Sequence, residues 1–139
     1  MSNTAVVEGF FQALNTRRFE DWPHYMAADV IDHNKVIHGE PDEPGAAFEA
    51  FRQQLAAFGE GAMDPQELIA EGSKVVARLR VHGRHTGYHP RMPSPTGRSF
   101  EVEQIWIFTL RDGKIVEIRA VSDRLSMFLQ LGWDWPARD

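Results

Sequence analysis

A chain of 139 residues, 42% of them hydrophobic and 25% charged, is long enough to bury one ordinary core and too short for two full domains, so residues 1–139 are read as a single domain. With 20 acidic and 15 basic residues the formal charge is -5, which repels phosphate backbones and argues against nucleic acid as a partner. Cysteine is absent, which excludes disulfides, thiolate catalysis and Cys-based metal sites.

In chain order, Val7, Phe10, Phe11 and Leu14 recur at helical spacing, with Asn3 or Thr4 as the expected N-cap. Phe19 to Met26 carries Trp22 and Tyr25 around Pro23 and predicts a short helix, since proline is tolerated in a first turn. Asp29 to His38 reads as a short strand running into a loop, and Gly39 to Pro44 as an acidic, turn-rich break. Phe48, Phe51, Leu55 and Phe58 then fall on one helical stripe.

From there the period changes from 3.6 to 2. Leu68-Ile69-Ala70 and the strictly alternating Val75 to His82 flank Glu71-Gly72-Ser73 as one hairpin, and Phe100 to Leu110 and Lys114 to Val121 flank Asp112-Gly113 as a second. Gly87 to Gly97 holds Pro90, Pro93 and Pro95 and reads as an irregular lid or pocket rim. Asp123 to Leu131 predicts a short helix stopped by Gly132, with Trp133 and Trp135 in a tail. Helices first and an antiparallel sheet afterwards give the α+β class. The longest unbroken apolar run, Ile105 to Phe108, is far short of a membrane span, and the N-terminus lacks a secretory layout. The expected setting is cytoplasmic, with no membrane partner.

With Asp112-Gly113 as a two-residue turn and no irregularity beyond it, Leu110 opposes Ile115, Phe108 opposes Glu117, Trp106 opposes Arg119 and Gln104 opposes Val121. A single β-bulge would exchange the two faces. The set holding Trp106, Arg119 and Asp123 is taken as the pocket face. Both faces are substantially apolar, so a second subunit is expected to cover the other one, giving a homodimer through the sheet.

Several stretches resemble the SnoaL-like polyketide cyclases in order and spacing: Lys74 to Gly87, Pro95-Thr96-Gly97-Arg98, Ile107 to Glu117, Ser122-Asp123-Arg124-Leu125 and Gln130-Leu131-Gly132, with a looser match at Asp32-His33 and along the helix carrying Phe48, Phe51 and Leu55. The resemblance implies the α+β cone of nuclear-transport-factor-two-like proteins and ketosteroid isomerase. In that fold a pocket lies between N-terminal helices and the concave face of a curved antiparallel sheet. It also implies ring closure of a polyketide by intramolecular aldol chemistry without metal or cofactor, with an aspartate at the position of Asp123. Where many relatives carry His-Trp, this chain carries Ile118 and Arg119, so the pocket electrostatics are expected to differ.

Aldol closure needs a base beside a carbonyl, a donor for the developing oxyanion and a dry cavity. Asp123 is the candidate base, His85 and His33 the candidate assisting groups. Trp106, Gln104, Arg119, Trp22, Tyr25 and Phe51 are the candidate liners for an apolar, carbonyl-rich small molecule. Each has an ordinary alternative: Asp123 as a helix cap or as the partner of Arg119, the histidines as backbone-bonded structural groups, the aromatics as plain core. His82, His85 and His89 are not expected to bind metal, because positions three apart on a strand face opposite ways. Arg78, Arg80 and Arg84 are expected to meet Glu101 and Glu103 at a surface, and no cofactor is implied. The alternatives to a cyclase are a non-catalytic dimeric binding module, and an isomerase or epoxide-hydrolase variant needing Glu103 or Glu117 to point inward.

Overall fold

The computed structural model describes residues 1–33, 43 and 45–134. The end of the strand expected to reach His38, nearly all of the Gly39–Pro44 break and Trp135 lie outside the described residues. Along the chain come α1 (Asn3–Asn15), a 3₁₀ turn (Phe19–Asp21), α2 (Trp22–Tyr25), β1 (Met26–Asp32) and α3 (Ala46–Ala57). Then follow β2 (Phe58–Glu71), β3 (Lys74–His85), β4 (Ser99–Arg111), β5 (Lys114–Ser122) and α4 (Arg124–Gln130). The strands form one sheet in the order β1-β5-β4-β3-β2. This is the α+β architecture expected, with one addition: β1 joins the edge parallel to β5, not antiparallel.

The cap of α1 falls one residue earlier than expected, on Ser2, whose side chain accepts from the Ala5 N–H at 3.1 Å. The helix buries Val7, Phe10, Phe11 and Leu14, and Phe10 and Phe11 meet Phe108 edge-on. Its last residue, Asn15, ties it to β2: the amide nitrogen donates to the Met63 carbonyl at 2.9 Å and Oδ1 accepts the Met63 N–H at 2.8 Å. Trp22 from α2 is wholly buried against Phe10, Phe19, Phe48 and Phe51. Helices and the inner face of the sheet thus share one aromatic core.

Strand β2 is far longer than the Leu68–Ala70 segment expected, because its low alternation hides two bulges, between Gly59 and Ala62 and between Pro65 and Glu67. Glu60 adopts a positive φ of 55° at the first of these, and a Cβ on Gly61 would run into the His82 carbonyl. Only glycine lets the bulged strand come so close to its neighbour. Pro65 is tolerated because β2 is an edge strand.

Both hairpins form as the sequence predicts. Asp112 and Gly113 have φ of 51° and 76°, the double positive φ of the tight turn favoured by Asp-Gly. The register of the second hairpin differs from the expectation. Leu110 pairs with Ile115, but Thr109 pairs with Glu117, leaving Val116 as an extra residue. Beyond that bulge Phe108 opposes Ile118, Trp106 opposes Ala120 and Gln104 opposes Ser122. Ile118 and Ala120 therefore share the inner face with Trp106, while Glu117, Arg119 and Val121 turn outward.

Past Ser122 the chain leaves the sheet, and β4 would lose a neighbour. Gln130 of α4 replaces it: its Oε1 accepts from the Glu101 N–H at 2.8 Å and its Nε2 donates to the Glu101 carbonyl at 3.1 Å. Gly132, at φ 98°, ends this helix as expected.

Candidate active site

The inner face of the sheet is a wall of apolar side chains. Val75, Ala77, Leu79 and Val81 of β3 and Phe100, Val102, Trp106, Phe108 and Leu110 of β4 are all buried. Helix α3 covers it, with Phe51 stacked on Trp106 at 5.7 Å between ring centroids and 18° between planes. Into this wall the sequence inserts a polar run. The Trp106 indole N–H donates to Gln104 Oε1 at 2.8 Å, and Gln104 Nε2 donates to Ser122 Oγ at 3.0 Å. A half-buried amide beside a tryptophan is destabilising unless both its ends are bonded, and here they are. The run ends one residue before Asp123.

Asp123 stands at the junction of β5 and α4. Its Oδ1 accepts from the Ser126 N–H at 3.1 Å and caps the helix, and the residue is exposed. Arg119 is not its partner. Because of the Val116 bulge, Arg119 faces outward with 62% of its side chain exposed, 3.6 Å from Glu117 Oε1. The expectation that Arg119 lines the pocket is corrected on that ground. Glu103, which pairs with Arg78 on the outer face at 3.2 Å, and outward-turned Glu117 supply no second inward carboxylate.

His85 is completely buried at the far end of β3, on the inward parity expected. Its backbone is gripped on both sides, the N–H donating to the Arg98 carbonyl at 2.8 Å and the carbonyl accepting from the Gly97 N–H at 2.9 Å. Thr96 presents its N–H and its hydroxyl to Nδ1, each at 3.2 Å. A nitrogen that accepts from a backbone amide carries no proton, so neutral His85 holds its proton on Nε2. That Nε2 is buried with no hydrogen-bond partner among the described residues. The proline-rich segment is irregular, as expected, and folds over this end of the sheet. His89 is also buried, its ring 5.5 Å from Phe58 and 5.4 Å from Phe128 of α4.

His33 lies elsewhere. Its N–H donates to the Ile118 carbonyl at 2.9 Å and its Nε2 is 3.6 Å from Glu117 Oε1. Ile118 sits opposite Phe108, whereas His85 lies beside Arg98. Those levels on β4 are roughly 30 Å apart along the strand contour. The two histidines are therefore not brought together. Trp22 is buried, with no hydrogen-bond partner for Nε1 among the described residues. Tyr25 is half-buried and lies against Gly9 of α1, where any Cβ would collide with its ring.

Two residues of this region escaped the sequence reading. Thr96 gave no local signal, being one polar residue in a proline-rich loop. Gln54 did give one: it lies three residues after Phe51 and four before Phe58, a polar side chain on an apolar stripe. Its Oε1 is buried with no hydrogen-bond partner among the described residues.

Helices laid over one face of an open five-stranded sheet, with a polar run set among aromatics, define the α+β cone. The sequence profile of the SnoaL-like polyketide cyclases matches residues 4–131, and the chain belongs to that family. It is 34% identical over 137 residues to the aklanonic acid methyl ester cyclase DnrD of Streptomyces peucetius, covering 94% of this chain and 91% of the relative. It is 35% identical over 125 residues to the nogalonic acid methyl ester cyclase of Streptomyces nogalater, covering 89% and 92%. Among solved structures, IdmH of Streptomyces antibioticus superposes with a TM-score of 0.81 at 26% identity, over 96% of this chain and 100% of that one. No described helix is long and apolar enough to cross a membrane.

Proposed function

We propose that this protein closes a ring in an apolar, carbonyl-rich polyketide by intramolecular aldol chemistry, with Asp123 moving the proton. The observation that carries the reading is the bonded run Trp106–Gln104–Ser122, which crosses an otherwise apolar wall and ends beside Asp123. The carboxylate takes a proton from carbon next to a carbonyl. The resulting enolate attacks a second carbonyl of the same molecule, forming the C–C bond, and the alkoxide so produced takes the proton back. The wall supplies shape and dryness; the His85 Nε2–H is a donor for an oxygen that gains charge.

The two cyclase relatives are named for methyl esters, and an ester suits this face as well. The inward positions of β3, β4 and β5 hold no Lys or Arg, so nothing there would neutralise a free carboxylate, whereas an ester needs no counter-ion.

Replacing Asp123 with Asn tests the base directly, because asparagine caps a helix as well as aspartate does. The expected result is loss of turnover by about 10²-fold or more with an unchanged melting temperature. Turnover retained in Asp123→Asn removes Asp123 from the mechanism. The exposed, helix-capping state of Asp123 favours a second reading, a non-catalytic pocket for a lipophilic molecule. Stoichiometric binding of a carbonyl-rich ligand, with no turnover in wild type or variant, would establish it.

The outer face of the sheet leaves Ile69, Ile105, Ile107 and Val121 exposed at 56%, 46%, 38% and 76%, with half-buried Val76 paired to Ile69 and Ile107. Around this patch the rim carries both signs of charge, Arg78, Arg80 and Arg119 against Glu67, Glu101 and Glu103. Such a mixed rim lets a second copy, turned about a two-fold axis, meet opposite charges at both edges. A homodimer through this face in the cytoplasm is the assembly we assign. Sedimentation should show a dimer that Val121→Asp converts to monomer; a monomeric wild type overturns it.

A further inference from the structure

Two buried polar atoms have complementary chemistry and no hydrogen-bond partner among the described residues: His85 Nε2, a donor, and Gln54 Oε1, an acceptor. Both belong to residues that adjoin Phe58. The Phe58 N–H closes α3 on the Gln54 carbonyl, and Phe58 is the cross-strand partner of His85, with the rings 5.6 Å apart. Gln54 also shares the sheet-facing stripe of α3 with Ala47, Ala50, Phe51 and Ala57, all buried. Leaving a buried donor or acceptor unpaired is destabilising by about 1–3 kcal/mol each. The two residues flank Phe58 and their side chains do not bond each other, so a group that accepts from one and donates to the other would satisfy both. A hydroxyl is the smallest group that does so.

We propose that Gln54 and His85 form a hydroxyl-reading pair: an enolic or phenolic O–H of the ligand accepts from His85 Nε2 and donates to Gln54 Oε1. Gln54 is then a specificity-determining residue, and Thr96 is a positioning residue that keeps the His85 proton on Nε2. The inference rests on the reading that this face holds the substrate and deepens it. The substrate class narrows to molecules that carry a hydroxyl near the carbonyl end.

The test uses flavone and flavonol, flat ketones that differ by one hydroxyl beside the carbonyl, with binding followed by quenching of tryptophan fluorescence. Wild type should prefer flavonol by about tenfold or more, since a site built to bond a hydroxyl rejects the analogue lacking it. In Gln54→Leu the preference should fall to about twofold or less, with flavone affinity little changed and the melting temperature no lower, because an unpaired buried amide is removed. Gln54→Glu, which keeps an acceptor at the same reach, should restore the preference. A preference that survives Gln54→Leu overturns the proposal, as does a wild type that fails to discriminate the two. Neither result touches the cyclase reading, which stands or falls on turnover in wild type and Asp123→Asn.

Discussion

On the outer face of β3 and β4, Arg78 bridges Glu67 at 3.0 Å and Glu103 at 3.2 Å, and Arg80 meets Glu101 at 3.2 Å. On the inner face of the same strands, His85 leaves Nε2 without a hydrogen-bond partner among the described residues, as Gln54 of α3 does its Oε1. The exposed face is where every polar group has an answer, either a neighbour or water. The buried face is where polar groups are few, where the run Trp106–Gln104–Ser122 is bonded from end to end, and where Trp22 Nε1, His85 Nε2 and Gln54 Oε1 have no hydrogen-bond partner among the described residues. Bonding that water would make redundant is abundant, and bonding that burial makes necessary is withheld at a few atoms, two of them in residues next to Phe58. That contrast locates ligand chemistry better than the charge count does.

The contrast breaks most sharply at Trp106. Trp106→Ala should lower unfolding free energy by about 3–5 kcal/mol, because it removes the ring stacked on Phe51 and strips the partner from Gln104; denaturant unfolding measures it. A loss near 1 kcal/mol would mean that this wall is loosely packed. Next comes Asn15→Ala, which orphans both the N–H and the carbonyl of Met63 and should destabilise by about 1–3 kcal/mol. Gln54→Leu should move stability the other way or not at all, a gain of up to about 1 kcal/mol, and a clear loss would show that its amide is already satisfied. The smallest effect belongs to the outer face. The carboxylates of Glu67, first, and Glu103 hold the Arg78 pKa above its ordinary value. That side chain is nevertheless solvent-screened, so Arg78→Ala should change stability least of these variants, and by less still in high salt.

What the sequence revealed and what it hid follow the same division. Strict alternation in Val75 to His82 placed His85 inward, and the structure buries it completely; Asp112-Gly113 fixed a turn whose dihedral angles are those expected. The helix stripe at Phe48, Phe51 and Leu55 was legible because tertiary packing and periodicity agree there, whereas Phe58, expected on the same stripe, opens β2. The register of β5 was not, since a bulge at Val116 follows from backbone twist and from packing on β1, neither of which leaves a mark on local composition. β2 was cut short for the same reason, its alternation broken at Gly61 and Pro65. Of the candidate residues, Trp106 and Gln104 lie on the inner face of β4 and Phe51 stacks on Trp106. Arg119 was lost to the bulge, and Gln54 was passed over because one polar residue on an apolar stripe reads as tolerance.

Val116 also makes the strand that carries it unequally sensitive to a change of length. It is the extra residue between two pairs that are neighbours on β4, Leu110 with Ile115 and Thr109 with Glu117. With it removed, those pairs would close into a regular ladder, Ile118 and Ala120 staying inside and Glu117 and Arg119 outside. A residue lost beyond the bulge, such as Arg119, has no slack to absorb it: Ala120 would turn to water, Val121 would turn inward, and the approach to Asp123 would reverse. Gene variants of this protein should accept the loss of residue 116 far more readily than the loss of residue 119.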